Sequence, residues 1–173
     1  ADDSERPVPF ESEPLTGVAV VVDISGFTSL EISLNAKGRV GIEEFGETLH
    51  AIFDVLVHLA VENGGLVLEF AGDALICFFC DGDFQTGDDF ASPETEGQNT
   101  LQKARSACEQ MMASIRPFMP AIRLHGGVAR GELRALHLGC STRSMNGDSR
   151  RGNLFVGSAL EAAVKLLDES VKG

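Results

Sequence analysis

Tryptophan and tyrosine are missing from this 173-residue chain, so its 11 phenylalanines are the whole aromatic content. Rings without a polar edge suit a core more than a stacking surface. Bases are scarce as well: 14 Lys plus Arg against 26 Asp plus Glu leave a net charge of −12. That balance excludes a nucleic-acid or anionic-membrane surface, since both partners need a basic footprint. No apolar run approaches the ~20 residues of a membrane span. The opening ADDSERPVPFESEP also lacks the basic-then-apolar pattern of a secretory signal. Cysteine is sparse, with Cys77, Cys80, Cys108 and Cys140 only. Cys77 and Cys80 lie at and just after the apolar run LICFF, on opposite faces of a strand, which makes them poor zinc or redox partners. Buried free thiols in a reducing cytoplasm are the expectation.

What is present suffices for one folded unit. The length fits a single domain, and 43% hydrophobic with 23% charged residues can bury a core. Residues 1–16 read as a linker or edge segment, because Pro7, Pro9 and Pro14 discourage regular structure. The continuous apolar run Val18–Val22 predicts a strand buried on both faces, with Asp23 at its carboxyl end. Thr28-Ser29-Leu30-Glu31 has the form of a capping box and predicts a helix start. From Arg39 to Glu62 apolar residues recur at steps of three and four, predicting an amphipathic helix that Asn63-Gly64-Gly65 stops. LVLEF (66–70) and LICFF (75–79) around AGDA predict a hairpin with Asp73 in its turn.

Residues 81–98 hold six acids and no base, which predicts an exposed loop; beyond Asp81 and Asp83 the spacing fails as a calcium loop. Leu101, Ala104, Cys108, Met111 and Ile115 mark another helix, ending before Pro117. AIRLHGGVAR and GELRALHLG predict two strands meeting near Arg130-Gly131. A polar loop (141–152) with Arg143, Arg150 and Arg151 follows, then the strand NLFV and the helix SALEAAVKLLDE. Helices against a sheet in this order predict an α+β sandwich. His50 and His58, eight apart on the long helix without an acidic or cysteine partner at ligand spacing, read as surface residues. His125 and His137 read as satisfied strand histidines. Gly126-Gly127 lacks the strand-loop-helix context of a phosphate cradle.

Asp23 and Asp73 carry the chemistry. In a ferredoxin-like sheet a strand end and a neighbouring hairpin tip can converge at one rim, where two carboxylates repel unless they share a proton or bind a cation. A carboxylate pair bridging two metal ions is a device of phosphoryl and nucleotidyl transfer. The local alternatives are that Asp23 caps a helix and Asp73 favours a turn.

The wording of the segments adds to this. VVDISGFTSL with EFAGDALICFF resembles the class III nucleotidyl cyclases. The resemblance spans about Pro9 to Leu167 and is nearest to the first cyclase homology domain of the soluble, bicarbonate-type adenylyl cyclases. It implies a ferredoxin-like (βαββαβ) sandwich with a mostly antiparallel sheet over residues 17–173, and terminal strands beyond the last helix. It implies conversion of ATP to cyclic AMP and pyrophosphate in intracellular signalling. Asp23 and Asp73 would hold two Mg2+ (or Mn2+ in their place), the Ile24 carbonyl would complete one site, and Phe27, Thr28 and Gly72 would line the substrate.

The family also places an Asn and an Arg on the helix after the NLFV strand, and the corresponding residues here are Glu161 and Lys165. Glu has no amide donor and Lys lacks the fork of Arg. The resemblance therefore implies a half-site, completed by a second cyclase homology domain in a pseudo-two-fold dimer. Glu69 occupies the family's base-selecting position, where Glu suggests guanine because a carboxylate accepts from its N–H edge. In a metal-donating half that residue points into the second, degenerate site, so ATP is the first reading and GTP the alternative. Bicarbonate sensing would need a Lys at position 69 and an Arg at position 164, where this chain has Glu69 and Val164. A non-catalytic pseudo-cyclase that dimerises is the remaining alternative.

Overall fold

The uninterrupted run Val18–Val22 lies in β2 (Leu15–Ser25), where each of its five residues is 0–3% exposed. A strand this apolar must be covered on both faces, and it is. The computed structural model describes residues 10–11, 13–82, 93–120, 122–139 and 151–172. Around β2 lie β1 (Phe10–Glu11), α1 (Phe27–Asn35), α2 (Arg39–Glu62), β3 (Leu66–Ala71), β4 (Ala74–Cys80), α3 (Pro93–Ser114), β5 (Arg123–Gly139), β6 (Arg151–Val156) and α4 (Ser158–Lys172). The sheet runs β1-β5-β2-β4-β3, with β6 also pairing β5, and every pairing is antiparallel. This is the α+β architecture that the sequence predicts.

Alternation along β2 divides the core. Val18, Val20, Val22 and Ile24 face α2 and α3, meeting Ile52, Leu56, Ala107 and Met111. Ala19 and Val21 face the other way, toward Ala159, Ala163 and Leu167 of α4. Cys77 belongs to the first face and Cys80 packs against the second, so the two thiols do lie on opposite sides of β4. Close approach of α4 depends on glycine: a Cβ on Gly127 would sit 2.0 Å from the Ala163 carbonyl oxygen. A Cβ on Gly131 would sit 2.7 Å from the Ala159 nitrogen.

The long helix α2 has the bounds its periodicity predicts. Its end is a double closure, Gly64 N–H to the Val61 carbonyl and Gly65 N–H to the Ala60 carbonyl. Elsewhere the structure corrects the sequence reading. No capping box forms at Thr28; α1 starts at Phe27 from Gly26, whose φ of 88° turns the chain out of β2. Asp23 is followed by two more strand residues, because β5 continues to pair through Ser25. The strands expected to meet at Arg130-Gly131 are one strand of 17 residues, β5. Its first part pairs β2 and its second part pairs β6, with β1 on the opposite edge.

α3 begins at Pro93, inside the segment expected to be loop, with proline at the first helical position where its missing N–H costs nothing. The Asp81 carboxylate is held by Arg130 at 3.0 and 2.5 Å. Asp83 and most of the 141–152 loop lie outside the described residues. β2 takes in Leu15 and Thr16, and Phe10 and Glu11 pair with β5, so part of the first 16 residues joins the sheet. Among the described residues no helix is long and apolar enough to cross a membrane.

Candidate active site

β2 aligns Asp23 with Ala74 of β4 on one side and with His125 of β5 on the other. Directly opposed residues share a face, so Asp23 and His125 continue the row of Val21 and Gly127 just beyond the stretch that α4 covers. Asp73 enters from the hairpin. Ala71 pairs with Ala74, leaving Gly72 and Asp73 as a two-residue turn, and Gly72 supplies the positive φ of 67°. A first turn residue with positive φ fits the tight turn that matches strand twist. The turn delivers the Asp73 side chain into hydrogen-bonding reach of Asp23.

The electrostatics follow from this convergence. The Asp23 carboxyl is raised above its ordinary 3.8, first by burial and then by the Asp73 charge and its hydrogen bond. His125 and the Ile24 N–H, which donates to the Asp23 carboxylate, pull in the opposite direction. His125 is fixed in turn, with its Nε2 3.0 Å from Ser25 Oγ. Ser25 Oγ also donates to the Arg123 carbonyl at 3.3 Å.

This donor set suits a hard divalent cation. Two oxygen ligands from a strand and a turn, already repelling one another, are relieved by Mg2+ or Mn2+ more naturally than by a thiolate-seeking metal. Among the described residues no three His, Cys, Asp or Glu side chains gather as a ready-made metal cluster, so a cation here would need further oxygen ligands beyond the two carboxylates.

The other sequence candidates spread outward from the rim. Ile24 buries its side chain on the α2/α3 face. Thr28 is exposed on the first turn of α1, and the Phe27 side chain lies outside the described residues. Glu69 is half-buried opposite Ile76. Because Val67 faces Cys77, Leu68 is the extra residue of a bulge that brings Glu69 onto the Asp23 side of the sheet. Glu161 and Lys165 lie exposed one turn apart on α4, and no ion pair between them forms. His58 does have an acidic partner, contrary to the sequence reading: its Nε2 is 3.0 Å from Glu62, an exposed pair one helical turn apart.

His125 is the residue that sequence reasoning missed as a neighbour of the carboxylates. It lies 102 positions from Asp23, and only strand order reveals the pairing.

No family model and no curated protein matches this chain. Solved structures do. The adenylyl cyclase CyaB from P. aeruginosa superposes with a TM-score of 0.64 at 20% identity, covering 91% of this chain and 74% of that one. The guanylate cyclase domain of RhGC from Catenaria anguillulae, solved with GTP, gives 0.63 at 21% identity, covering 92% and 76%. A class III adenylyl cyclase-like ATP-binding protein from Pseudomonas aeruginosa gives 0.58 at 20%, covering 88% and 31%. The fold is that of nucleotidyl cyclase domains. Within this cyclase fold, the Asp23–Asp73 rim is the place where strand end, hairpin turn and β5 bring ionisable groups together.

Proposed function

We propose that this chain is the metal-binding half of a class III adenylyl cyclase, which makes cyclic AMP and pyrophosphate from ATP together with a second cyclase domain. The observation that carries this reading is the convergence of Asp23 and Asp73 at one rim. In the reaction the ribose 3′ oxygen attacks the α-phosphorus and closes the cyclic ester. The bond from the α-phosphorus to the bridging oxygen breaks, pyrophosphate leaves, and the hydroxyl proton passes to solvent. Two Mg2+ held by Asp23 and Asp73, with the Ile24 carbonyl on one of them, would acidify that hydroxyl and neutralise phosphate charge. Phe27, Thr28 and Gly72 flank the carboxylates in sequence and would line the triphosphate.

Glu161 and Lys165 support the half-site form, because neither provides the amide or the guanidinium that the resemblance to the class III cyclases places on that helix. The test is an assay of ATP against GTP on the longest natural protein containing this domain. ATP turnover should exceed GTP turnover, and Asp73→Ala should lose about a hundredfold or more. The 173-residue chain alone should turn over negligible ATP. Robust cyclic AMP formation by that chain would overturn the half-site. Faster turnover of GTP would favour guanylyl cyclase, the reading that Glu69 on the Asp23 face supports. Nucleotide binding without turnover would favour the pseudo-cyclase.

A further inference from the structure

We propose that His58 and Glu62 form a second cation site, a two-ligand chelate for a divalent transition metal of the Zn2+ class on the outer face of α2. The site stands apart from the Asp23–Asp73 rim and does not depend on the nucleotide reading.

The two side chains lie one helical turn apart at the end of α2, with His58 Nε2 3.0 Å from Glu62 Oε1. Zinc holds imidazole nitrogen and carboxylate oxygen at about 2.0–2.2 Å, so two such ligands at right or tetrahedral angles sit about 2.9–3.4 Å apart. The pair therefore already has the bite of a chelate. Imidazole with carboxylate favours Zn2+, Ni2+ or Cu2+, whereas Mg2+ prefers an all-oxygen shell. No third His, Cys, Asp or Glu joins them among the described residues, so the chain supplies two ligands. With the side chains 71% and 57% exposed, water can supply the rest.

The surroundings favour positive charge. Glu62 is the last residue of α2, where the helix dipole presents its negative end. Asp54 is exposed one turn before His58, and α2 has no Lys or Arg after Arg39. This end of α2 also leads away from the carboxylate rim. It continues through Gly64-Gly65 into Leu66, which pairs with Phe78. Four residues of β4, about 13 Å of strand, separate Phe78 from Ala74 beside the Asp73 turn. A cation on α2 and one at Asp23–Asp73 can thus bind without sharing a ligand.

Titration with Zn2+, followed by calorimetry and by the imidazole resonances of His58, tests this. Zn2+ should shift the His58 ring signals in the parent, and equally in the double variant Asp23→Asn/Asp73→Asn. His58→Ala should lose the corresponding component of binding, and Glu62→Gln should weaken it about tenfold. His50→Ala, which removes an exposed imidazole two turns away on the same helix, should leave it unchanged. All four positions changed on α2 or in its control are solvent-facing or single, so far-UV circular dichroism of each variant should match the parent. A His58 ring that Zn2+ does not shift overturns the proposal. So does parent-like binding by His58→Ala or Glu62→Gln, or an equal loss in His50→Ala. Loss of the His58 shift in the double variant would assign the ion to the carboxylate rim and overturn it as well.

Discussion

Asp23 and Asp73 approach within hydrogen-bonding reach although one belongs to a buried strand and the other to an exposed hairpin turn. Their proximity raises the Asp23 carboxyl, after the larger effect of burial.

The pH dependence has a definite sign. An acid whose folded value is raised favours the folded state most when protonated, and that contribution is lost as pH rises from about 3.8 through the raised value. Without a metal, Asp23→Asn should therefore melt higher than the parent at pH 7, and the two should converge toward pH 4. Thermal melts across that range check it. A variant that melts lower at pH 7 would contradict the assignment of repulsion at this pair.

Gly127→Ala should destabilise by about 1–3 kcal/mol, since the added methyl meets the α4 backbone, which cannot yield as a side-chain tip can. Gly46→Ala is its control. That position in α2 is exposed with nothing within 4 Å, so the better helix former should gain up to about 1 kcal/mol. Urea unfolding of both variants measures the contrast.

Arg130 joins β5 to Asp81 beyond the end of β4 through both guanidinium nitrogens, with side chains 37% and 16% exposed. The same guanidinium lies under Gly97 in the first turns of α3. Arg130→Ala should cost about 1–2 kcal/mol. Arg130→Lys should recover less than half, because a single ammonium cannot reproduce the fork. Faster amide exchange at the start of α3 than in α2 would localise the loss.

Burial pushes the thiols of Cys77 and Cys108 up to about 12 and about 11. Thiolate is the reactive form, so at pH 8 neither should react with a disulfide reagent until the chain unfolds. Both should react at once in denaturant. Labelling of Cys77 or Cys108 in the native state would show that the α2/α3 face opens.

Local signals accounted for most elements and for few of the encounters between them. α2 was legible to the residue because apolar spacing and an Asn-Gly-Gly stop agree on its bounds. The start of α3 was missed because Pro93 opens the helix among polar residues, ahead of the first apolar step. β5 looked like two strands because Gly131 resembles a break. Its lack of a side chain instead admits Ser158 and Ala159 of α4. Asp23 and Asp73 were legible as residues in a strand-end and turn context. Their meeting, and the arrival of His125 beside them, depends on strand order and register, which no local pattern encodes.

The glycine contacts of α4 have a mechanical meaning. At Gly127 and Gly131 the helix rests on β5 almost backbone to backbone, with no cushion of side chains to absorb a shift. An inward shift of α4 would therefore have to displace the β5 backbone itself, one row from His125.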